Sequence, residues 1–197
     1  MPFNLPIFLT WLRIVAIPLL VVVFYLPESW LSMPERNLIA TALFIAAAVT
    51  DWLDGFLARR WNQTSSFGEF LDPVADKLIV AAALIVLVWL ERADAALAAI
   101  IIGREITISA LREWMAKIGA SKNVAVSMVG KIKTTAQMLA IILLLYDMPL
   151  PIVGWRLEKA GTILLWIAAL LTLWSMGYYL HRAWPEIAQR AGGTKPP

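Results

Sequence analysis

Pro73-Val74-Ala75-Asp76-Lys77-Leu78-Ile79-Val80-Ala81-Ala82-Ala83-Leu84-Ile85-Val86-Leu87-Val88-Trp89-Leu90 is the stretch that decides the fold class. After Lys77 it holds no charged side chain as far as Leu90. The hydrocarbon core of a bilayer takes about 20 apolar residues per helical span. This run fits one such span, and the whole chain shares its character. Of the 197 residues, 60% are apolar and 16% are charged. An ordinary soluble domain has about 45–50% and about 25%. A water-soluble core of this length cannot hide so much apolar surface, so a soluble globular enzyme is excluded. About 118 apolar residues leave room for about six spans.

Outward from this run, the others fall at about Ile7–Leu26, Leu38–Phe56, Ala93–Met115, Val124–Tyr146 and Leu157–Leu180. The first lacks a small-residue cleavage site and reads as a retained span with a polar start, which can lie along the surface. The spacing predicts an all-α polytopic membrane protein of six transmembrane helices with an N-terminal amphipathic, interfacial segment. Residues 1–185 form a single membrane domain, and residues 186–197 a short polar tail. Nine cations (Arg13, Arg59, Arg60, Lys77, Lys117, Lys122, Arg182, Arg190 and Lys195) fall on the side of the termini. Four (Arg36, Arg92, Arg156 and Lys159) fall on the other, which puts both termini in the cytoplasm. The chain has no cysteine and one histidine, so disulfides, thiolate sites and multi-histidine metal centres are excluded. A net charge of +3 without a basic cluster gives no reason to expect nucleic acid.

Chemistry concentrates between the second and third runs. Asp51 and Asp54 are three apart, Asp72 and Asp76 four apart, so each pair shares a helix face. Asp72-Pro73 fits a helix start, with Asp72 as cap and Pro73 in the first turn. Four carboxylates beside hydrocarbon repel one another and call for a cation. Mg2+, Mn2+ or Ca2+ suits such a set, and Mg2+ commonly works with substrate phosphates. Gly55, Ala58 and Gly68 lack bulk and would let a ligand approach the backbone. Arg59 offers a fork for a phosphate.

The spacing Asp51-x2-Asp54-Gly55-x2-Ala58-Arg59-x8-Gly68-x3-Asp72-x3-Asp76 resembles the motif of the CDP-alcohol phosphotransferases at every defined position. Asn4-Leu5-Pro6, Leu9-Thr10 and Arg13 resemble the N-terminal segment of the bacterial members, with Ile7 where many have a second asparagine. Gly103-Arg104-Glu105, Leu111-Arg112-Glu113 and Gly130-Lys131-x-Lys133-Thr134-x2-Gln137 resemble members that use a phosphorylated acceptor.

The resemblance implies transfer of the phosphatidyl group of CDP-diacylglycerol to sn-glycerol 3-phosphate, with loss of CMP. It implies two Mg2+ or Mn2+ ions held by Asp51, Asp54, Asp72 and Asp76, with Asp76 also the general base. Gly55, Ala58, Arg59, Gly68, Asn4 and Thr10 would contact the nucleotide and diphosphate. Arg104, Arg112, Lys131, Lys133 and Arg13 would hold glycerol phosphate. It further implies a homodimer in the bacterial cytoplasmic membrane, with its site facing the cytoplasm.

The acceptor assignment has a partly independent basis. An unpaired cation within a span is expensive, and a phosphate pocket would explain Arg104, Arg112, Lys131 and Lys133. The alternatives are ion pairing of Arg104 with Glu105 and of Arg112 with Glu113, and snorkelling lysines. At the level of function, they are another acceptor (serine, inositol phosphate or phosphatidylglycerol) or a divalent-cation carrier. A carrier has no need of Arg59 and Gly68 at these offsets.

Overall fold

The computed structural model describes residues 5–61, 66–119, 128–149 and 157–191. Its six helices are α1 (Leu5–Val22), α2 (Met33–Trp61), α3 (Ser66–Trp89), α4 (Ala95–Lys117), α5 (Met128–Tyr146) and α6 (Glu158–Ala191). Among the described residues there is no strand, so the all-α expectation holds. By length and composition one helix among the described residues, over Glu158–Ala188, is long and apolar enough to cross a membrane, where six such spans were expected. In α4 the cause is visible, since Arg104, Glu105 and Arg112 interrupt its apolar run.

Local chemistry sets several boundaries. Ser32 precedes α2, and its N–H and Oγ both donate to Glu35 Oε2 at 2.7 Å. This is the backward reach of a capping-box carboxylate. These two bonds hold the Glu35 carboxyl below the usual carboxylate range. Asp94 caps α4, its Oδ1 accepting from Ala96 N at 2.8 Å and Leu97 N at 3.3 Å. Glu91, at φ 59°, turns the chain out of α3, and Arg92 N donates back to Leu87 O at 2.9 Å. That is the 6→1 bond of a Schellman turn, made without the usual glycine.

One expectation is corrected here. The pair Asp72-Pro73 does not start α3. The helix begins at Ser66, so Asp72 lies in its second turn and caps nothing. Pro73 removes one intrahelical bond without ending the helix. The last helix also runs through Pro185 to Ala191, past the sequence-derived end of the sixth run.

The main core joins residues of all six helices, among them Leu20, Phe44, Leu84, Ile101, Ile141 and Leu165. Gly161 lets α6 press on α5: a Cβ there would lie 2.8 Å from Leu144 Cγ. Small residues serve this purpose wherever helix backbones approach closely. At the end of the bundle away from the aspartates, Arg92 ties three elements together. Its guanidinium pairs with Asp147 at 3.1 Å and donates to Asn37 Oδ1 at 2.9 Å and Leu144 O at 3.3 Å. Burial holds its pKa below the usual arginine value, and Asp147 opposes that shift. A second, smaller core packs Ile108 and Met115 of α4 against Tyr179 and Ala183 of α6.

Candidate active site

Helix α1 reaches the carboxylates of two other helices. Thr10 and Arg13 are three apart and point the same way. Thr10 Oγ1 donates to Asp72 Oδ1 on α3 at 2.5 Å. Arg13, with its side chain fully buried, pairs with Asp51 Oδ1 on α2 at 3.1 Å. A hydroxyl and a guanidinium thus fix the direction of two aspartates through one oxygen each.

Asp76 stands where two cavities meet. The smaller, about 160 Å³, is lined by Asp51, Asp76, Glu105 and Gln137 among others. The larger, about 960 Å³, opens between α3, α4 and α5. Asp76, Lys77, Arg104, Glu105 and Arg112 line it, with Leu78 and Ile106 on its apolar flank. Gln137 is 3% exposed, and its Oε1 has no hydrogen-bond partner among the described residues. That oxygen is available to a water, an ion or a ligand in the smaller cavity.

The cations of α4 and α5 converge. Arg104 Nη1 lies 3.4 Å from Glu105 Oε1, and its Nη2 donates to Ser175 Oγ on α6 at 3.2 Å. Lys133, with 1% of its side chain exposed, pairs with Glu105 as well. It does not snorkel. Arg104 and Arg112 both stand over the ring of Tyr179, with Cζ at 5.8 Å and 5.2 Å from its centroid. Glu113 pairs with Lys117 at 2.8 Å along the exposed face of α4, instead of with Arg112. Arg13 lies with Asp51, not among the residues lining the large cavity. Gly68 falls in the first turn of α3.

Asn4 lies outside the described residues. So do the side chains of Asp54, Ala58, Arg59 and Lys131 and the surroundings of Gly55. Among the described residues no three potential metal-ligating side chains gather into a site. The donors that are described fit a hard cation nonetheless. Asp51 and Asp76 share one small cavity with the unpartnered Gln137 oxygen, and all offer oxygen.

Four residues of this arrangement were not assigned to the site from the sequence, although Glu105 was weighed as an ion-pair partner of Arg104. Glu105 had a visible signal, a carboxylate inside an apolar run. Gln137 stood in a recognised stretch but without a function. Ser175 and Tyr179 had none, because neutral residues in an apolar run do not reveal which neighbour they meet.

Known proteins are similar to this chain in sequence. A sequence model of the CDP-alcohol phosphatidyltransferase family matches residues 3–174. A relative from Salmonella choleraesuis (strain SC-B67) is named CDP-diacylglycerol--glycerol-3-phosphate 3-phosphatidyltransferase. It is 51% identical over 193 residues, covering 93% of this chain and 96% of the relative. The protein of that name from Escherichia coli (strain K12) is 50% identical with the same coverage. The one from Yersinia enterocolitica is 48% identical over 198 residues, covering 96% of this chain and all of the relative.

Proposed function

Because this chain belongs to the CDP-alcohol phosphatidyltransferase family, we propose that it transfers the phosphatidyl group of CDP-diacylglycerol to sn-glycerol 3-phosphate. The products are phosphatidylglycerol phosphate and CMP. The observation that carries the reading is the position of Asp76. It borders the Asp51 side of the site and also the cavity lined by Arg104 and Arg112. A base there reaches an alcohol held by those cations on one side and a diphosphate on the other.

In this reading Arg104 and Arg112, which line the larger cavity, hold the phosphate of glycerol phosphate, and Lys133 adds its charge from behind, paired with Glu105. The acceptor's 1-hydroxyl then points towards Asp76. The hydroxyl oxygen bonds to the β-phosphorus, Asp76 takes the proton, and the bond from that phosphorus to CMP breaks. Asp51, Asp54, Asp72 and Asp76 are the residues that would hold divalent metal, Mg2+ or Mn2+, as two ions. When bound, such ions neutralise diphosphate charge and polarise phosphorus. Thr10 and Arg13 keep Asp72 and Asp51 aimed, and Gly55, Ala58, Arg59 and Gly68 receive the nucleotide diphosphate.

The same reading includes six membrane spans, a bacterial cytoplasmic membrane and a homodimer. The outer surface supports the bilayer: Trp11, Leu12, Val15, Leu19, Ile106, Trp166, Leu170 and Trp174 are all exposed. A soluble monomer seldom shows so broad an apolar surface. Acyl chains would remain in that bilayer while the head group reacts.

The test is CMP release from CDP-diacylglycerol by the purified chain with a panel of acceptors. Glycerol 3-phosphate should support turnover, while serine, inositol phosphate and phosphatidylglycerol should not. Excess EDTA should stop the reaction, and Mg2+ or Mn2+ should restore it. Release with serine alone, or full activity in EDTA, would contradict the acceptor or the metal assignment respectively. A second expectation concerns Arg112. Its side chain lines the larger cavity beside Arg104. Arg112→Ala should raise KM for glycerol phosphate about tenfold or more, the worth of a charge-assisted bond. KM for CDP-diacylglycerol should hardly move. Equal changes in both would place Arg112 outside the acceptor pocket.

A further inference from the structure

Helix α6 contributes one aromatic residue to the cation cluster. Tyr179 is fully buried and packs with Ile108 and Met115 of α4 and Ala183 of α6. Both arginines of α4 stand over its ring, eight residues apart in sequence and about 12 Å apart along the helix axis. An aromatic face carries negative potential and attracts a guanidinium within about 6 Å of its centre. Two guanidiniums that share one ring repel each other in a medium that screens poorly, and the ring's negative face offsets part of that repulsion. Arg104 has further partners in Glu105 and Ser175. For Arg112 the contact among the described residues is the ring of Tyr179, at 5.2 Å from Cζ to its centroid. The Nε atoms of both arginines are buried without hydrogen-bond partners among the described residues.

We infer that Tyr179 is a positioning residue for the acceptor's phosphate. Its ring holds Arg104 and Arg112 at the spacing at which both reach one phosphate monoester. The inference rests on the acceptor reading above and extends it to a residue on α6. The ring itself does the positioning, so the phenolic hydroxyl is secondary.

The test keeps the shape of the side chain and changes only its electrons. Phenylalanine and its 4-fluoro, 3,5-difluoro and 3,4,5-trifluoro analogues are placed at position 179. Each fluorine weakens the negative face of the ring. Tyr179→Phe should leave KM for glycerol phosphate within about threefold of the parent. KM should then climb stepwise with fluorine number, reaching about threefold to thirtyfold for the last analogue, the range of cation–π energies. KM for CDP-diacylglycerol should stay constant. Tyr179→Leu should give a rise of about tenfold or more in the same single constant. A flat fluorine series overturns the inference, as does a parallel rise in both KM values. Should the leucine variant fail to fold, the isosteric series decides alone. The unaltered chain is the control for the parent reading. If it releases no CMP with glycerol phosphate, that reading fails. If it does and the series is flat, only the role of Tyr179 fails.

Discussion

Asp76→Asn should fold normally and lose CMP release by a factor of about 10² to 10⁴, the usual contribution of a positioned base. Asparagine has nearly the volume of aspartate and can still hydrogen-bond, so the packing of α3 through its buried Ala75 and Ile79 is kept. What it cannot do is accept the proton of an attacking hydroxyl. The residue stands between the two cavities, with Asp51 on one side and Arg104 and Arg112 on the other. No other described carboxylate borders both cavities except Glu105, which is already engaged by Lys133 and Arg104. Turnover within a few-fold of the parent in a single-turnover CMP assay would remove Asp76 as the base. A variant that loses its thermal transition would instead show a structural carboxylate.

The second large effect is on stability. Glu105→Leu should destabilise the protein by about 3–5 kcal/mol, the cost of stranding a buried charge by removing its partner. Lys133 has 1% of its side chain exposed and Arg104 has 7%, so neither can turn to water. Adding Lys133→Met to Glu105→Leu should recover most of the loss, because an apolar pair replaces an ionic one at little cost. Activity should not return with it, since Lys133 is one of the cations assigned to the acceptor. Thermal midpoints in detergent, measured beside CMP release, separate the two effects. A double variant no more stable than Glu105→Leu alone would show that Lys133 is not what Glu105 holds.

The helices were legible because an apolar run inside a bilayer-length window is hard to disguise. Their ends were less so. The polar stretches before Asp72 and after Leu180 look like loops by composition, yet Ser66–Leu71 and His181–Ala191 are helical. Asp72-Pro73 carries the local pattern of a helix start, and the helix upstream of it overrides that pattern. In the site, Arg104, Arg112 and Lys133 could be read directly, because a charge in an apolar run demands a reason. The adjacent Glu105 could be read as a partner of Arg104, but the distant partners could not. Ser175 lies 71 residues from Arg104, and Glu105 lies 28 from Lys133. Such pairings are set by how α4, α5 and α6 pack, and no local spacing records them. Thr10 and Arg13 were assigned to ligands by resemblance. The structure adds the aspartates they touch, from 62 residues away in the case of Thr10.

The cluster around Tyr179 has a consequence for the end of the catalytic cycle. Arg104, Arg112 and Lys133 set against Glu105 leave two positive charges in excess. In the proposed reading a phosphate monoester dianion balances the charge of these four side chains. The reaction does not consume this phosphate; it leaves on the lipid product. The forces that capture the acceptor therefore also retain the product, and tighter capture means slower departure. Departure without replacement would restore the uncompensated charge, so an incoming glycerol phosphate favours release by taking the vacated place. Turnover then becomes an exchange of one dianion for another, with the new lipid drawn sideways into the membrane as its head group is displaced.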